Sequence, residues 1–262
     1  MRGGRHSFAS NPELVDEVVA SAHGPEVGAF FDLDRTLISG YSGAFLLWRR
    51  MRSGRLTTRQ AASIVRATAG WLLGRVPLAD LMTAALVTTD GLDHRDLDAL
   101  GREIFERHLE RRIYPEAVAL IEAHRAAGHT LAIISSATTC QVAPIARHLD
   151  VPIHRSTRLA FSEDSCLGTI VTPACCGEGK ARAGRELAET YRLSLEKSFF
   201  YTDSLEDLPL LELVGNPRPV NPSPQLRQRA REQAWPTARF RSRERVWSIA
   251  RPRLRERSLS RA

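Results

Sequence analysis

The chain has 262 residues, 43% of them hydrophobic, and a formal net charge of +7; this supports one large domain, or a core with a small second one, and excludes global disorder. No run approaches the roughly 20 apolar residues of a membrane span, and no apolar signal segment follows the basic residues of "MRGGRHSFASNPELVDEVV", so the protein is expected to be cytoplasmic. The charge is uneven: from Arg227 onward twelve arginines face only Glu232, Glu244 and Glu256, which describes a near-neutral body with an arginine-rich tail and makes a nucleic-acid partner unlikely.

Residues 1–24 read as a polar N-terminal arm with a short helix at Pro12–Ala20. "VGAFFDLD" reads as a buried strand, apolar and aromatic with polar residues only at its end. Residues 44–112 change texture: "AFLLWRRM", "TRQAASIVRATAGWLLG", "LADLMTAALV" and "LDALGREIFERHLE" carry apolar positions at helical spacing. They are expected to form an all-helical insertion. After Tyr114 strands and helices alternate. "PEAVALIEAHRAAG" opens with proline and closes with glycine, as helices do. "HTLAIISS" is a buried strand, "QVAPIARHLD" a short helix, and "HRSTRLAFSEDSCLGTIV" a β-hairpin alternating around a turn. "GKARAGRELAETYRL" is a helix after a glycine-rich loop, "KSFFYTD" a strand, "LEDLPLLELVG" a helix and "RPVNP" a brief last strand.

This alternation predicts an α/β fold: a Rossmann-like parallel sheet core over residues 25–43 and 113–235, with a helical cap (44–112) inserted after the first strand. An arginine-rich tail (236–262) follows. Cys140, Cys166, Cys175 and Cys176 form no C-x-x-C pair, so reduced structural thiols are expected. A disulfide between adjacent Cys175 and Cys176 is the strained alternative.

In such sheets ligands bind at the carboxyl ends of the strands, and four polar clusters fall there. Asp32, Asp34 and Thr36 follow "AFF"; Ser135 and Ser136 follow "AII"; Lys180 opens a helix in "GEGKARAGREL"; Asp203 and Asp207 lie in "YTDSLEDLP". Singly, each has an ordinary explanation. Carboxylates cap helices, and serine at a strand end is commonplace. Lysine at a helix N-terminus is electrostatically misplaced, which gains weight in a chain whose only lysines are Lys180 and Lys197. Together the clusters are far more specific. Converging carboxylates repel and raise one another's pKa. Mg²⁺, with its preference for oxygen ligands and phosphate, removes the conflict, while a lysine and a serine hydroxyl hold a phosphoryl group. The constellation reads as metal-assisted phosphoryl transfer.

"DLDRT", "IISSA", "GEGK" and "YTDSLEDLP" resemble the four motifs of the haloacid dehalogenase superfamily, and the insertion resembles the small cap of its phosphoserine phosphatase-like branch, subfamily IB. The resemblance covers roughly residues 27–225. It implies that Asp32 is the nucleophile, forming an aspartyl-phosphate, and Asp34 the general acid and base. It further implies that Ser135 and Ser136 hold the phosphoryl oxygens and that Lys180 pairs with Asp32 and the phosphate. Asp32, Asp34 (through its carbonyl) and Asp203 bind Mg²⁺, Asp207 orients Asp203 or a metal-bound water, and Thr36 supports the turn. Family members that cleave carbon–halogen bonds lack the second aspartate, so Asp34 with Asp203 points to a phosphatase acting on a small phosphomonoester.

The substrate is less legible. Where phosphoserine phosphatases carry a glutamate for the substrate's amino group, this chain has Tyr41, with no acidic residue between Arg35 and Asp80. In "GAFLLWRRMRSGR" the apolar residues read as helix packing or as a pocket for a less polar ester, with arginines holding an acidic group. The stretch also resembles phosphatase-like domains fused to glycerolipid acyltransferases. A peripheral-membrane lipid phosphate phosphatase is therefore the alternative, its tail residues Trp247, Ile249 and Leu254 interleaved with arginine against an anionic membrane surface. A non-catalytic, basic-tailed interaction protein is the third reading. The intact acidic and lysine positions count against it.

Overall fold

The computed structural model describes residues 12–54, 56–73 and 85–241. The described elements begin with α1 (Pro12–Ala20) and β1 (Val27–Phe31), followed by α2 (Ser42–Arg52) and α3 (Thr58–Leu72). A short 3₁₀ turn (Val87–Thr89) precedes α4 (His94–Ile104), which runs on through a π turn (Phe105–Leu109) and a 3₁₀ turn (Glu110–Arg112). Then come α5 (Pro115–Ala126), β2 (Thr130–Thr138), α6 (Thr139–His148), β3 (Ile153–Thr157), β4 (Leu159–Ser162) and β5 (Ser165–Ile170). The chain continues through α7 (Glu178–Tyr191), β6 (Ser194–Thr202), a 3₁₀ turn (Leu205–Asp207), α8 (Leu208–Leu211), β7 (Asn216–Pro219) and α9 (Pro224–Glu232).

Five strands form one parallel sheet in the order β3-β2-β1-β6-β7. The expected α/β core is therefore present, with β1 at its centre. Successive side chains of a strand point to opposite faces, and the aromatic runs divide accordingly. Phe31, Phe199 and Tyr201 join Leu14, Val18, Leu120 and Ile121 on one side. Phe30 and Phe200 join Ala181, Leu187 and Leu210 on the other. With both faces covered by helices, the strands read as unbroken apolar runs.

Several elements differ from the sequence reading. The stretch 154–171 is not one hairpin: β3 pairs in parallel with β2 in the main sheet, and only β4 and β5 form the antiparallel pair. The last strand starts earlier, at Asn216. The long helix expected over 205–215 is a 3₁₀ turn and one α-helical turn, because Asp207 and Pro209 set a new start at Leu208. Helix α1, placed in the arm, packs on the core through Leu14 and Val18 and pairs Glu17 with Arg218. At the other end Ala238 and Phe240 are buried, with Ala238 bridging Val220. The segment between β1 and β2 is helical among the described residues. Most of "LADLMTAALV", like Trp247, Ile249 and Leu254 of the tail, lies outside the described residues. No described helix is long and apolar enough to cross a membrane. All four cysteines are free.

The insertion is stitched to the core at its root. Ile38 bridges Ile113 antiparallel, Ser39 N–H donates to the Arg112 carbonyl (2.8 Å), and Tyr114 N–H to that of Leu37 (2.9 Å). Helix α4 also lies against α6. A Cβ on Gly101 would stand 1.9 Å from the Cys140 carbonyl oxygen. Alanine normally favours a helix by about 1 kcal/mol over glycine; here the clash reverses the sign. Gly101→Ala should lose about 1–3 kcal/mol, as overpacked cores do, and a Tm equal to or above wild type would contradict this contact.

Beneath the sheet runs a buried relay. His129 Nε2 lies 2.8 Å from the Ala22 carbonyl, His129 Nδ1 2.7 Å from His124 Nδ1, and His124 Nε2 2.8 Å from the Tyr201 hydroxyl. A carbonyl only accepts, so His129 Nε2 carries a proton. His124 Nδ1–H then donates to His129 Nδ1, and the Tyr201 hydroxyl donates to His124 Nε2. One arrangement with both rings neutral satisfies every atom. Burial, and for His124 also the neighbouring His129, holds both pKa values below the usual histidine range. An unfolded histidine takes up its proton near pH 6.5; the folded pair resists. Stability should be full above that pH and fall below it, by up to about 1.4 kcal/mol per pH unit per histidine. The loss of Tm between about pH 7.5 and 5.5 should be smaller in His124→Gln with His129→Gln than in wild type, and an equal change in both would rule the relay out as a source of acid sensitivity.

Candidate active site

Strands β1, β2 and β6 run in parallel with Phe31 level with Ile133 and with Tyr201. Asp32, Ser135 and Asp203 thus emerge at neighbouring carboxyl ends of the sheet. Asp32 is still tied to it, its N–H donating to the Tyr201 carbonyl (2.9 Å). The chain then turns through Arg35, which has φ +62°, uncommon for a side-chain-bearing residue. Asn221 Nδ2 holds that turn by donating to the Arg35 carbonyl (3.1 Å). Thr36 is buried in it with its hydroxyl lacking a hydrogen-bond partner.

Lys180 is brought in from the opposite side. A Cβ on Gly179 would stand 2.0 Å from the Ala174 carbonyl oxygen, so only glycine lets the start of α7 approach this closely. The buried ammonium donates to Asp32 Oδ1 (2.6 Å) and Asp207 Oδ2 (2.7 Å). Asp207 Oδ2 also accepts from the Thr202 hydroxyl (2.5 Å). These two carboxylates are what hold a lysine at the positive end of a helix. Burial works against its charge, but Asp207 and Asp32 outweigh burial and hold Lys180 above the usual lysine range.

Asp34 is held by the first turn of α2. Ser42 N–H donates to its Oδ1 (2.8 Å) and the Ser42 hydroxyl to its Oδ2 (3.2 Å). Gln141 Nε2 in turn donates to the Ser42 hydroxyl (2.9 Å). Gln141 is itself fixed by a capping box at the start of α6, its Oε1 accepting from Thr138 N–H (3.0 Å) and Thr138 Oγ1 (2.7 Å). Burial pushes the Asp34 carboxyl up to about 6, against the pull of the Ser42 bonds. A carboxyl poised there can hold a proton and give it up near neutral pH.

Ser135 is buried, its hydroxyl accepting from Ala137 N–H (3.1 Å), whereas Ser136 is exposed. Asp203 pairs with Arg35, Nη1 to Oδ2 at 3.1 Å. Asp207 faces Lys180 and Thr202. Ser42, Gln141, Thr202 and Arg35 are the parts that motif reading missed. The T-x-x-Q capping signature at Thr138–Gln141 was the one available signal.

Burial raises Asp32 to about 8; Lys180 lowers it, and Asp207 and Asp203 add to the rise. Burial likewise lifts Asp203 to about 6, Arg35 opposing and Asp207 adding. These acidic groups are under-compensated by protein cations, and Asp203 already draws in a half-exposed arginine. Among the described residues no three His, Cys, Asp or Glu side chains enclose a metal by themselves. The Asp32 and Asp203 carboxylates with the Asp34 carbonyl nevertheless fit Mg²⁺. That hard cation takes one or two carboxylates and draws its remaining ligands from water and phosphate.

Residues 29–212 match the family model described as haloacid dehalogenase-like hydrolase. A probable phosphatase of Mycobacterium tuberculosis is 33% identical over 79% of this chain and 73% of its own length. A phosphoserine phosphatase of the same organism is 32% identical over 79% and 68%. The crystal structure of a Bordetella pertussis protein of unknown function superposes with a TM-score of 0.67 at 27% identity, covering 82% of this chain and 98% of that one. The chain belongs to the haloacid dehalogenase-like hydrolases, in their phosphoserine phosphatase-like branch, and is an enzyme.

Proposed function

We propose that this hydrolase is a Mg²⁺-dependent phosphatase that cleaves a small phosphomonoester through an aspartyl-phosphate on Asp32. The observation that carries the reading is the buried Lys180 bridging Asp32 and Asp207, with Asp34 and Asp203 at the same sheet edge. The phosphatases among its relatives support the reaction class.

In this reading an Asp32 carboxylate oxygen attacks phosphorus, and the bond to the ester oxygen breaks. The leaving oxygen takes a proton from Asp34, which Ser42 holds in place. Water then attacks the phosphorus of the acyl-phosphate and gives its proton back to Asp34, freeing phosphate and Asp32. Lys180 and the Ser135 hydroxyl hold the phosphoryl oxygens, with the exposed Ser136 the further candidate beside them. Mg²⁺, held by Asp32, Asp203 and the Asp34 carbonyl, would supply charge neutralisation at the phosphoryl group. The core is residues 25–43 with 113–235, and the cap over 44–112 keeps bulk water out.

The test is phosphate release from a panel of phosphomonoesters, with Mg²⁺, with chelator, and with Mg²⁺ restored. Release should fall at least about 100-fold in chelator and return with the metal. Release indifferent to chelator, or none from any ester, would sink the reading.

A further inference from the structure

A cleft of about 760 Å³ opens beside the proposed site, between the turn after Asp34 and the chain returning from the insertion. Its volume suits a small-molecule ligand. Arg35, Tyr41, Arg107, His108, Arg111 and Arg112 line it, and none of the described residues lining it is acidic. Arg35 is the shared wall: its guanidinium reaches Asp203 at 3.1 Å and the Tyr41 hydroxyl at 3.3 Å.

The charges in this wall are not all met. Arg35 has Asp203, and Arg107 has Glu103 (2.9 Å). Arg111 donates only to the Arg107 carbonyl (3.1 Å). Arg112 lies over the Phe45 ring at 4.8 Å, and that ring stacks on His108. An aromatic face orients a guanidinium without using up its N–H donors. Two arginines thus stand in the cleft with no carboxylate partner among the described residues. The arginines of "WRRMR", by contrast, are engaged elsewhere: Arg49 with Glu103, Arg50 with the Thr88 carbonyl, and Arg52 over Trp48.

We propose that Arg111 and Arg112 bind a second anionic group of the substrate, a carboxylate or a further phosphate. The preferred phosphomonoester carries that charge on its non-reacting part. This inference rests on the phosphatase reading and narrows it. It also disfavours phosphoserine: an ammonium in this cleft meets four arginines, no acid, and Tyr41.

The experiment compares four esters. 3-Phosphoglycerate offers a carboxylate, fructose 1,6-bisphosphate a phosphate, glycerol 3-phosphate a neutral remainder and O-phosphoethanolamine a cation. Wild-type kcat/KM for one of the two anionic esters should exceed that for glycerol 3-phosphate by at least about tenfold, with O-phosphoethanolamine lowest. Which anionic ester leads tells carboxylate from phosphate. Arg111→Gln with Arg112→Gln should erase the preference through KM and leave glycerol 3-phosphate turnover unchanged. A preference for the neutral or cationic ester, or one that survives the double substitution, overturns the proposal. Calorimetry on Asp32→Asn reads the cleft without turnover. The leading anionic ester should bind at least about tenfold tighter than glycerol 3-phosphate, and the double substitution should remove the difference. If wild type hydrolyses none of the four, the calorimetric comparison still decides the cleft, while the wider ester panel decides the phosphatase reading.

Discussion

Asp32→Asn should reduce phosphate release by at least about 10⁴-fold while leaving the fold intact, because an amide cannot serve as the attacking carboxylate. Asparagine keeps the shape of aspartate, and Lys180 retains its bond to Asp207 at 2.7 Å, so the ammonium is not stranded. Circular dichroism should match wild type, and Tm should move only a few degrees. Rapid acid quenching during turnover of a ³²P-labelled ester should leave label on wild-type protein, cleavable by hydroxylamine, and none on the variant. Label of equal amount on both would place the covalent step elsewhere. Turnover within about tenfold of wild type would remove Asp32 from the chemistry.

Lys180→Met should damage stability and activity together. Methionine fills comparable space but leaves Asp32 and Asp207 buried without the cation that joins them. Breaking a buried ion pair from one side costs about 3–5 kcal/mol, or roughly 6–20 °C in Tm for a chain of this size. Thermal unfolding should be measured in chelator, so that a bound metal does not mask the loss. Phosphate release should fall about 10³-fold, because the positive charge on the phosphoryl oxygens is gone. A variant with wild-type Tm would mean that the carboxylates are compensated by something other than Lys180. One with lowered Tm but full turnover would confine the lysine to a structural role.

The sheet and the acidic centre were legible in the sequence because their signals are local. "VGAFF" is short, apolar and closed by Asp32, and its strand is buried throughout. Lys180 stood out because a lone lysine at a helix start is electrostatically wrong until acids are placed around it. What stayed hidden depends on pairing between distant segments. The alternation in "HRSTRLAFSEDSCLGTIV" declares strands but not partners, and β3 chose β2 over its neighbour in sequence. Ser42 and Gln141 are 99 residues apart, and only the docking of α2 near α6 joins them behind Asp34. The basic cleft escaped notice for the same reason. Arg111 and Arg112 are the last residues of the insertion, far from Arg35 in sequence, and the Ser39–Arg112 hydrogen bond brings the two ends together. Composition drew attention to "WRRMR" instead, whose arginines serve Glu103, Thr88 and Trp48.

That same stitching governs how the architecture can vary. Because Ile38 pairs with Ile113, the chain leaves the core and re-enters it at a single point. To the sheet, everything between is one closed loop, and doubling the length of such a loop adds only about 0.6 kcal/mol of closure entropy. Length by itself therefore costs the sheet little, but packed content does: Leu46, Leu100, Ile104 and Leu109 of the insertion are buried in the same core as Phe31 and Ile133, and Gly101 lies against Cys140. A core rebuilt with a tight turn between Ser39 and Arg112 is the limiting case. It would lose that buried apolar surface together with the bonds that Ser42 makes to Asp34. Folding and chemistry thus meet at that junction: the length of the inserted piece matters little to the scaffold, while its packed residues serve both the core and the acid.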